Sequence, residues 1–137
     1  MDHLFSAYRK KFEEDQFAKT SGIKLLDARP GYAKAEIVIG RNHLNAVGVV
    51  QGGAIFTLAD FTFAVASNTH GKIALAINAE ISFFKAVSSG ILTAIASEIS
   101  LQNKLGTYLV QVLNEKEECI AHFKGTVYRK NEEIDFQ

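Results

Sequence analysis

Several things are scarce in this chain of 137 residues: there is one cysteine, one proline, one methionine and no tryptophan. A lone cysteine, Cys119, forms no internal disulfide, so a reducing compartment is the default expectation. Neither sign of charge is in excess, with Lys+Arg and Asp+Glu both at 15. Without a basic surplus there is little to neutralise the phosphates of a nucleic acid, and that class of partner is excluded. A net charge near zero also does little to keep copies apart, which favours self-association. Long hydrophobic runs are missing too. The longest, around residues 54–66, contains Asp60 and is too short to span a bilayer. The opening "MDHLFSAYRKKFEEDQ" is too charged for a signal peptide. No internal repeat or low-complexity linker interrupts the chain. These absences lead to the expectation of one cytoplasmic domain, residues 1–137, with no membrane or nucleic-acid partner.

What is present is enough to fold. The composition is 47% hydrophobic and 22% charged, which is globular and allows a core without staples. Leu4, Tyr8 and Phe12 recur at helical spacing, predicting an amphipathic helix over 3–17 within an N-terminal segment 1–18, with Asp2 as its cap. Pro30-Gly31 marks a turn. After it Ala33, Ala35, Ile37 and Ile39 alternate with Lys34 and Glu36, a half-exposed strand that pairs with the segment before it. Residues 42–52 are loop-like, and 53–68 read as a helix that is apolar nearly all round. Its polar residues Thr57, Asp60, Ser67 and Asn68 share an arc of about a third of the circumference. Beyond it, Ile73, Leu75, Ile77, Ala79, Ile81 and Phe83 alternate along 73–84, and Ile91, Thr93, Ile95, Ser97, Ile99 and Leu101 along 91–101. Two more strands are expected at 106–114 and 118–129. Long, mostly antiparallel strands around one buried helix make an α+β layer structure.

The chemistry concentrates in "NHLNAVGVVQGGAIFTLADF", residues 42–61. A Gly-Gly pair at a helix start lets the backbone approach a ligand. The first N–H groups of the helix have no partner within it, and they favour negative charge. That suits polarising a carbonyl and holding an oxyanion. Asp60 lies about 10–12 Å further along the same helix and cannot reach its own N-terminus. Two such helices lying antiparallel in a dimer would bring the Asp60 of one to the glycines of the other.

"HLNAVGVVQGGAIFTLAD" resembles the active-site segment of hotdog-fold acyl-CoA thioesterases of the phenylacetate-degradation (PaaI-like) type. His43, Asn45, Gly48, Gly52, Gly53 and Leu58-Ala59-Asp60 match that pattern, and "INAEISFFKAV" is similar to the strand after its helix. The resemblance implies a hotdog fold: an antiparallel sheet of about five to six strands wrapped around one central helix. It implies hydrolysis of an aryl- or medium-chain acyl-CoA to a carboxylic acid and coenzyme A, with no cofactor beyond the coenzyme A of the substrate itself. Asp60 would be the general base or nucleophile. The Gly52 N–H would hold the thioester oxygen, and Asn45 would orient water or thioester from the facing subunit of a homodimer, possibly a dimer of dimers. Gln51, Gly53, His43, Asn78 and Lys85 would be substrate-binding. Gln51 stands where many members have His, and a Gln side chain cannot titrate. Ala76 and Asn78 stand where the family often has Ser or Thr.

Plainer roles stand beside these. Asp60 as a structural acid would have to bear the cost of an unpaired buried charge. His43 suits a loop hydrogen bond better than a base. Lys85, Lys104 and Arg129 are cations able to meet coenzyme A phosphates, although solvated surface charge explains each. Phe56, Phe61, Phe63, Phe83 and Phe84 suit either an acyl pocket or the core. Cys119 and His122 are three apart on a strand, so they face opposite ways and no metal site is expected. The rival functions are a non-catalytic acyl-CoA binding or sensing module, kept open by Gln51 and Ala76, and a hotdog dehydratase or hydratase. The last usually relies on a His paired with an acid near the helix, and His43 lacks that setting.

Overall fold

The structure, a computed structural model, describes residues 3–136. The expected Asp2 cap therefore lies outside the described residues. Two short helices open the chain, α1 (His3–Phe12) and α2 (Gln16–Ser21), where one helix over 3–17 was expected. The break has a local cause. Asp15 caps α2 by accepting a hydrogen bond from Ala18 N at 3.0 Å, and an N-cap residue has extended backbone, so the first helix cannot run through it. Gly22, at φ 84°, ends α2 and returns its N–H to the last carbonyls.

The strands are β1 (Ile23–Arg29), β2 (Tyr32–Val38), β3 (Lys72–Phe83), β4 (Ile91–Leu101), β5 (Leu105–Leu113) and β6 (Cys119–Glu133). They form one antiparallel sheet in the order β1-β2-β4-β5-β6-β3, with α3 (Gly52–Asn68) lying across it. A six-stranded antiparallel sheet curled around one helix is the hotdog arrangement. Among the described residues no helix is long and apolar enough to cross a membrane.

The face of the sheet under α3 is lined by small side chains. Ala33 and Ala35 of β2, and Ala94 and Ala96 of β4, are fully buried against the core. Short side chains there let the helix approach the sheet closely. Further along, a Cβ on Gly125 of β6 would stand 2.6 Å from the Phe63 ring, so only glycine lets α3 pass. Phe63 in turn meets Phe123 and Tyr108.

Two strands do not present the faces that simple alternation predicts. In β4 the buried row is Leu92, Ala94 and Ala96, not the larger Ile91, Thr93 and Ile95. In β3 a bulge between Ala76 and Asn78 changes the phase of the strand. Ala74 is buried, while Leu75 and Ile77 are 56% and 61% exposed. One extra residue moves every later side chain to the other face. β3 is also an edge strand of 12 residues. Its outer rim of unpaired N–H and C=O groups is a template for another strand.

Candidate active site

The site is assembled where the loop 41–51 delivers the chain to α3. His43 anchors that loop. Its Nδ1 accepts from Gly40 N at 2.8 Å, so its Nε2 carries the proton and donates to Ser21 O at 2.7 Å. Both ring nitrogens are thus committed within the chain, and His43 holds the loop on the end of α2. Asn45 shapes the next turn. Its Oδ1 accepts from Val47 N and Val49 N at 3.0 and 3.2 Å. Its amide nitrogen has no partner among the described residues and remains a donor.

Gln51 ends the loop and caps the helix. Its backbone N donates to His43 O at 2.8 Å, and its side-chain oxygen accepts from Gly53 N. The expected substrate-binding group is therefore occupied by the helix itself. This explains the second glycine: a Cβ at Gly53 would stand 2.5 Å from that Gln51 oxygen. The first glycine faces β3, where a Cβ would meet the tip of the Phe83 ring at 3.2 Å. Gly53 N is held by Gln51, and Ala54 N and Ile55 N both donate to Gln51 O. The Gly52 N–H is left over. It has no partner among the described residues and lies at the positive end of the helix.

Asp60 lies two turns on, half-buried, with Thr57 one turn before it on the same side. Its carboxylate makes no hydrogen bond or ion pair among the described residues. Burial raises its pKa above the ordinary carboxylate value, and the negative charge of Asp15 adds to the rise. The other two polar residues of the expected stripe are buried and serve the end of the helix. Ser67 Oγ donates to Ala64 O, and Asn68 bonds Ala64 O and both backbone groups of Ala74.

Two hollows flank the start of α3. One, of about 370 Å³, is lined by Gly52, Ile55, Phe83, Phe84 and Lys85. The other, of about 680 Å³, lies between α2 and α3, with Phe17, Phe56 and Thr57 in its walls. Phe56, Phe83 and Phe84 are thus at a hollow, whereas Phe61 and Phe63 are core. Lys85 lines the first hollow, ion-paired with Glu118 at 2.7 Å. Asn78 pairs with Thr126, on the sheet face opposite to Gly125 and hence opposite to α3. The bulge at Ile77 is the reason, and Ala76 takes the inward position.

Two relevant residues escaped the sequence reading. Asp15 had a signal, an acid followed by a short helix and then Gly22, the pattern of a capped turn. Glu118 had none, because its partner lies 33 residues away. Cys119 directs its thiol to Ala121 O. Among the described residues no group of three or more His, Cys, Asp or Glu is placed to share a metal ion.

Known proteins resemble this chain along most of its length. A relative from Archaeoglobus fulgidus is 47% identical over 124 residues, covering 90% of this chain and 80% of its own. The acyl-coenzyme A thioesterase PaaI of Escherichia coli is 29% identical over 119 residues, covering 86% of this chain and 85% of its own. The solved structure of the E. coli PaaI protein from the phenylacetic acid degradation operon superposes with a TM-score of 0.90 at 28% identity. That match covers 96% of this chain and 99% of the solved one. Residues 47–121, the span from the loop before α3 to the start of β6, match the family model described as "Thioesterase superfamily". The chain belongs to the thioesterase superfamily, in its PaaI-like hotdog branch, and is a thioester hydrolase.

Proposed function

We propose that the protein hydrolyses acyl-CoA thioesters to a carboxylic acid and free coenzyme A, in a site shared by two subunits. The observation that carries this is one helix with two unsatisfied groups: the Gly52 N–H at its start and the Asp60 carboxylate two turns later. Eight residues of helix separate them by about 12 Å, so they cannot meet one thioester from the same chain. A two-fold related copy with its α3 antiparallel supplies the missing half to each site. The exposed edge strand β3, with Leu75 and Ile77 uncovered, supports such an association.

The chemistry then follows from the groups present. The Gly52 N–H and the positive end of α3 polarise the thioester carbonyl and hold the oxyanion that forms. As general base, the partner's Asp60 takes a proton from water, and the resulting hydroxide attacks the carbonyl carbon. The tetrahedral intermediate collapses with loss of the coenzyme A thiolate, which receives the proton from Asp60. As nucleophile, the partner's Asp60 attacks the carbonyl carbon first and expels the coenzyme A thiolate, which takes a proton from solvent; water then cleaves the resulting anhydride, releasing the carboxylic acid and restoring Asp60. Asn45, whose amide hydrogens are uncommitted, orients the water or the thioester. Lys85 meets an anionic part of coenzyme A. Aryl or medium-chain acyl groups suit the aromatic walls around Phe56, Phe83 and Phe84.

A thiol-release assay over aryl-CoA and fatty-acyl-CoA esters tests this. The expected result is one thiol and one carboxylic acid per ester, with the highest kcat/KM among aryl or medium-chain substrates. Tight binding of these esters with no thiol released would contradict it and favour the sensing role. Hydrolysis in a single turnover in ¹⁸O water, with label in the product or in Asp60, separates base from nucleophile.

A further inference from the structure

Lys85 and Glu118 are joined by more than a chance surface contact. Phe84 N and Lys85 N both donate to Ile120 O, at 2.8 and 3.3 Å, so the backbone carrying Lys85 is tied to the start of β6. Glu118 sits two residues before that carbonyl. Its own side chain is held by the β5–β6 turn: Asn114 Nδ2 donates to Glu118 Oε1 at 2.9 Å, and Glu118 N donates back to Asn114 Oδ1 at 2.9 Å. The second carboxylate oxygen, Oε2, is left facing Lys85 Nζ at 2.7 Å. Lys85 lines the same hollow as Gly52. The one cation lining that hollow among the described residues is therefore already neutralised by an acid that the turn holds in position.

We propose that Glu118 is a built-in competitor for the anionic end of the substrate, occupying Lys85 until a phosphate group of the coenzyme A portion displaces it. This rests on the acyl-CoA reading above. A phosphate offers Lys85 more charge and more acceptor oxygens than one carboxylate, so the exchange favours the ligand. The acid weakens affinity for every coenzyme A species, product included. Product carrying the same phosphates therefore leaves faster than it would from a free lysine. An exposed pair of this kind is modest in strength and screened by salt, so the effect amounts to about two- to five-fold at low ionic strength.

The test is calorimetric titration of coenzyme A into four full-length proteins: wild type, E118Q, K85Q and the double variant. Glutamine keeps the acceptor that Asn114 uses, removes the charge and puts an NH2 donor in place of the oxygen that faces Lys85. E118Q is expected to lower the Kd for coenzyme A by about two- to five-fold, and the gain should vanish in the K85Q background and at high salt. The KM for an N-acetylcysteamine thioester, which carries no phosphate, should be the same in E118Q and wild type. An equal gain with and without Lys85 would overturn the proposal, since it would report only a general change of charge. So would an unchanged or weaker Kd in E118Q, or no binding of coenzyme A by the wild type. Retained binding with no hydrolysis of any thioester would instead strike the proposed function and leave this inference standing.

Discussion

At the C-terminal end of α3 the polar groups are matched within the chain; in its first half the Gly52 N–H and the Asp60 carboxylate are not. Asn68 bonds Ala64 O and both backbone groups of Ala74, closing the helix onto β3. Thr69 donates to Ala66 O and accepts from Gly31 N, and its carbonyl accepts from Tyr8. Beyond it, Glu98 accepts from Tyr108 at 2.7 Å and meets His70 at 2.6 Å. Burial pushes the Glu98 pKa up, but the hydrogen bonds from Tyr108 and His70 outweigh it and hold the carboxyl below its usual range. Burial, with Glu98 next, pushes the Tyr108 hydroxyl in the other direction, upward. Nearer its start, the Gly52 N–H at the first residue and the Asp60 carboxylate at mid-helix stand without partners among the described residues. Both groups are only partly buried, so solvent reaches them and they stay available to a ligand. One helix thus serves stability at its C-terminal end and chemistry from its start to its middle.

The sharpest way to break that division is to remove the acid. Asp60→Asn keeps the volume but cannot take a proton, and kcat should fall about 10²–10⁴-fold. The same variant should gain stability. A group whose folded pKa is raised stabilises only below its unfolded pKa, and that benefit is lost as pH rises through the folded value. At neutral pH the ionised Asp60 therefore works against folding, and the amide should raise Tm. Parallel activity and melting measurements check both; loss of activity together with a lower Tm would make Asp60 structural.

Gly52→Pro comes next. Proline is well tolerated at the first position of a helix, and Gln51 already has the extended backbone that proline requires before it. The substitution removes the free N–H, with the half-exposed Phe83 ring as the side chain that must shift. A fall in kcat of about 10²–10³-fold is expected. Steady-state kinetics with circular dichroism to confirm the helix would show it, and near-normal turnover would remove Gly52 from the mechanism.

At the opposite end, Asn68→Ala should leave kcat unchanged and cost about 1–3 kcal/mol in denaturant unfolding, because it strands the buried Ala74 N–H. Smaller still is the effect of Asp15→Asn. Asparagine is as good an N-cap, so α2 survives, but the charge that helps raise the Asp60 pKa is gone. The active form is the carboxylate. kcat/KM should therefore fall on the acid side through a value above that of an ordinary Asp, and this limb should move to lower pH in Asp15→Asn. Because burial is the larger cause, most of the elevation should remain.

The division along α3 was only half legible in the sequence. A single acid in a mostly apolar helix after Gly-Gly singled out the candidate reactive groups, since burying an unpaired charge is costly. The capping role of Gln51 was not legible: its type suggests hydrogen bonding to a ligand, whereas its place one residue ahead of a Gly-Gly start lets its side-chain oxygen fold back as a cap. Ser67 and Asn68 shared an arc with Asp60 on paper, yet their partners lie on the next strand and in the helix's last turn. Strand positions were legible to within a residue or a few, but not always their faces. The bulge at Ile77 sends Asn78 outward and cannot be seen in an alternating pattern of apolar residues. In β4, alanines hide beneath larger isoleucines, because the tightest packing under α3 selects small residues, not the most hydrophobic ones.

The central claim is that each site takes its N–H from one chain and its carboxylate from another, and one measurement tests it directly. Asp60→Asn and Gly52→Pro are prepared separately, mixed in equal amounts, unfolded and refolded together, and assayed for thiol release. Random pairing makes half of the dimers mixed. Each mixed dimer has one site with both defects and one with neither, so about a quarter of wild-type activity should return. If the mixture shows no more activity than the two variants refolded apart, each site is complete within a single chain, and the shared site is wrong.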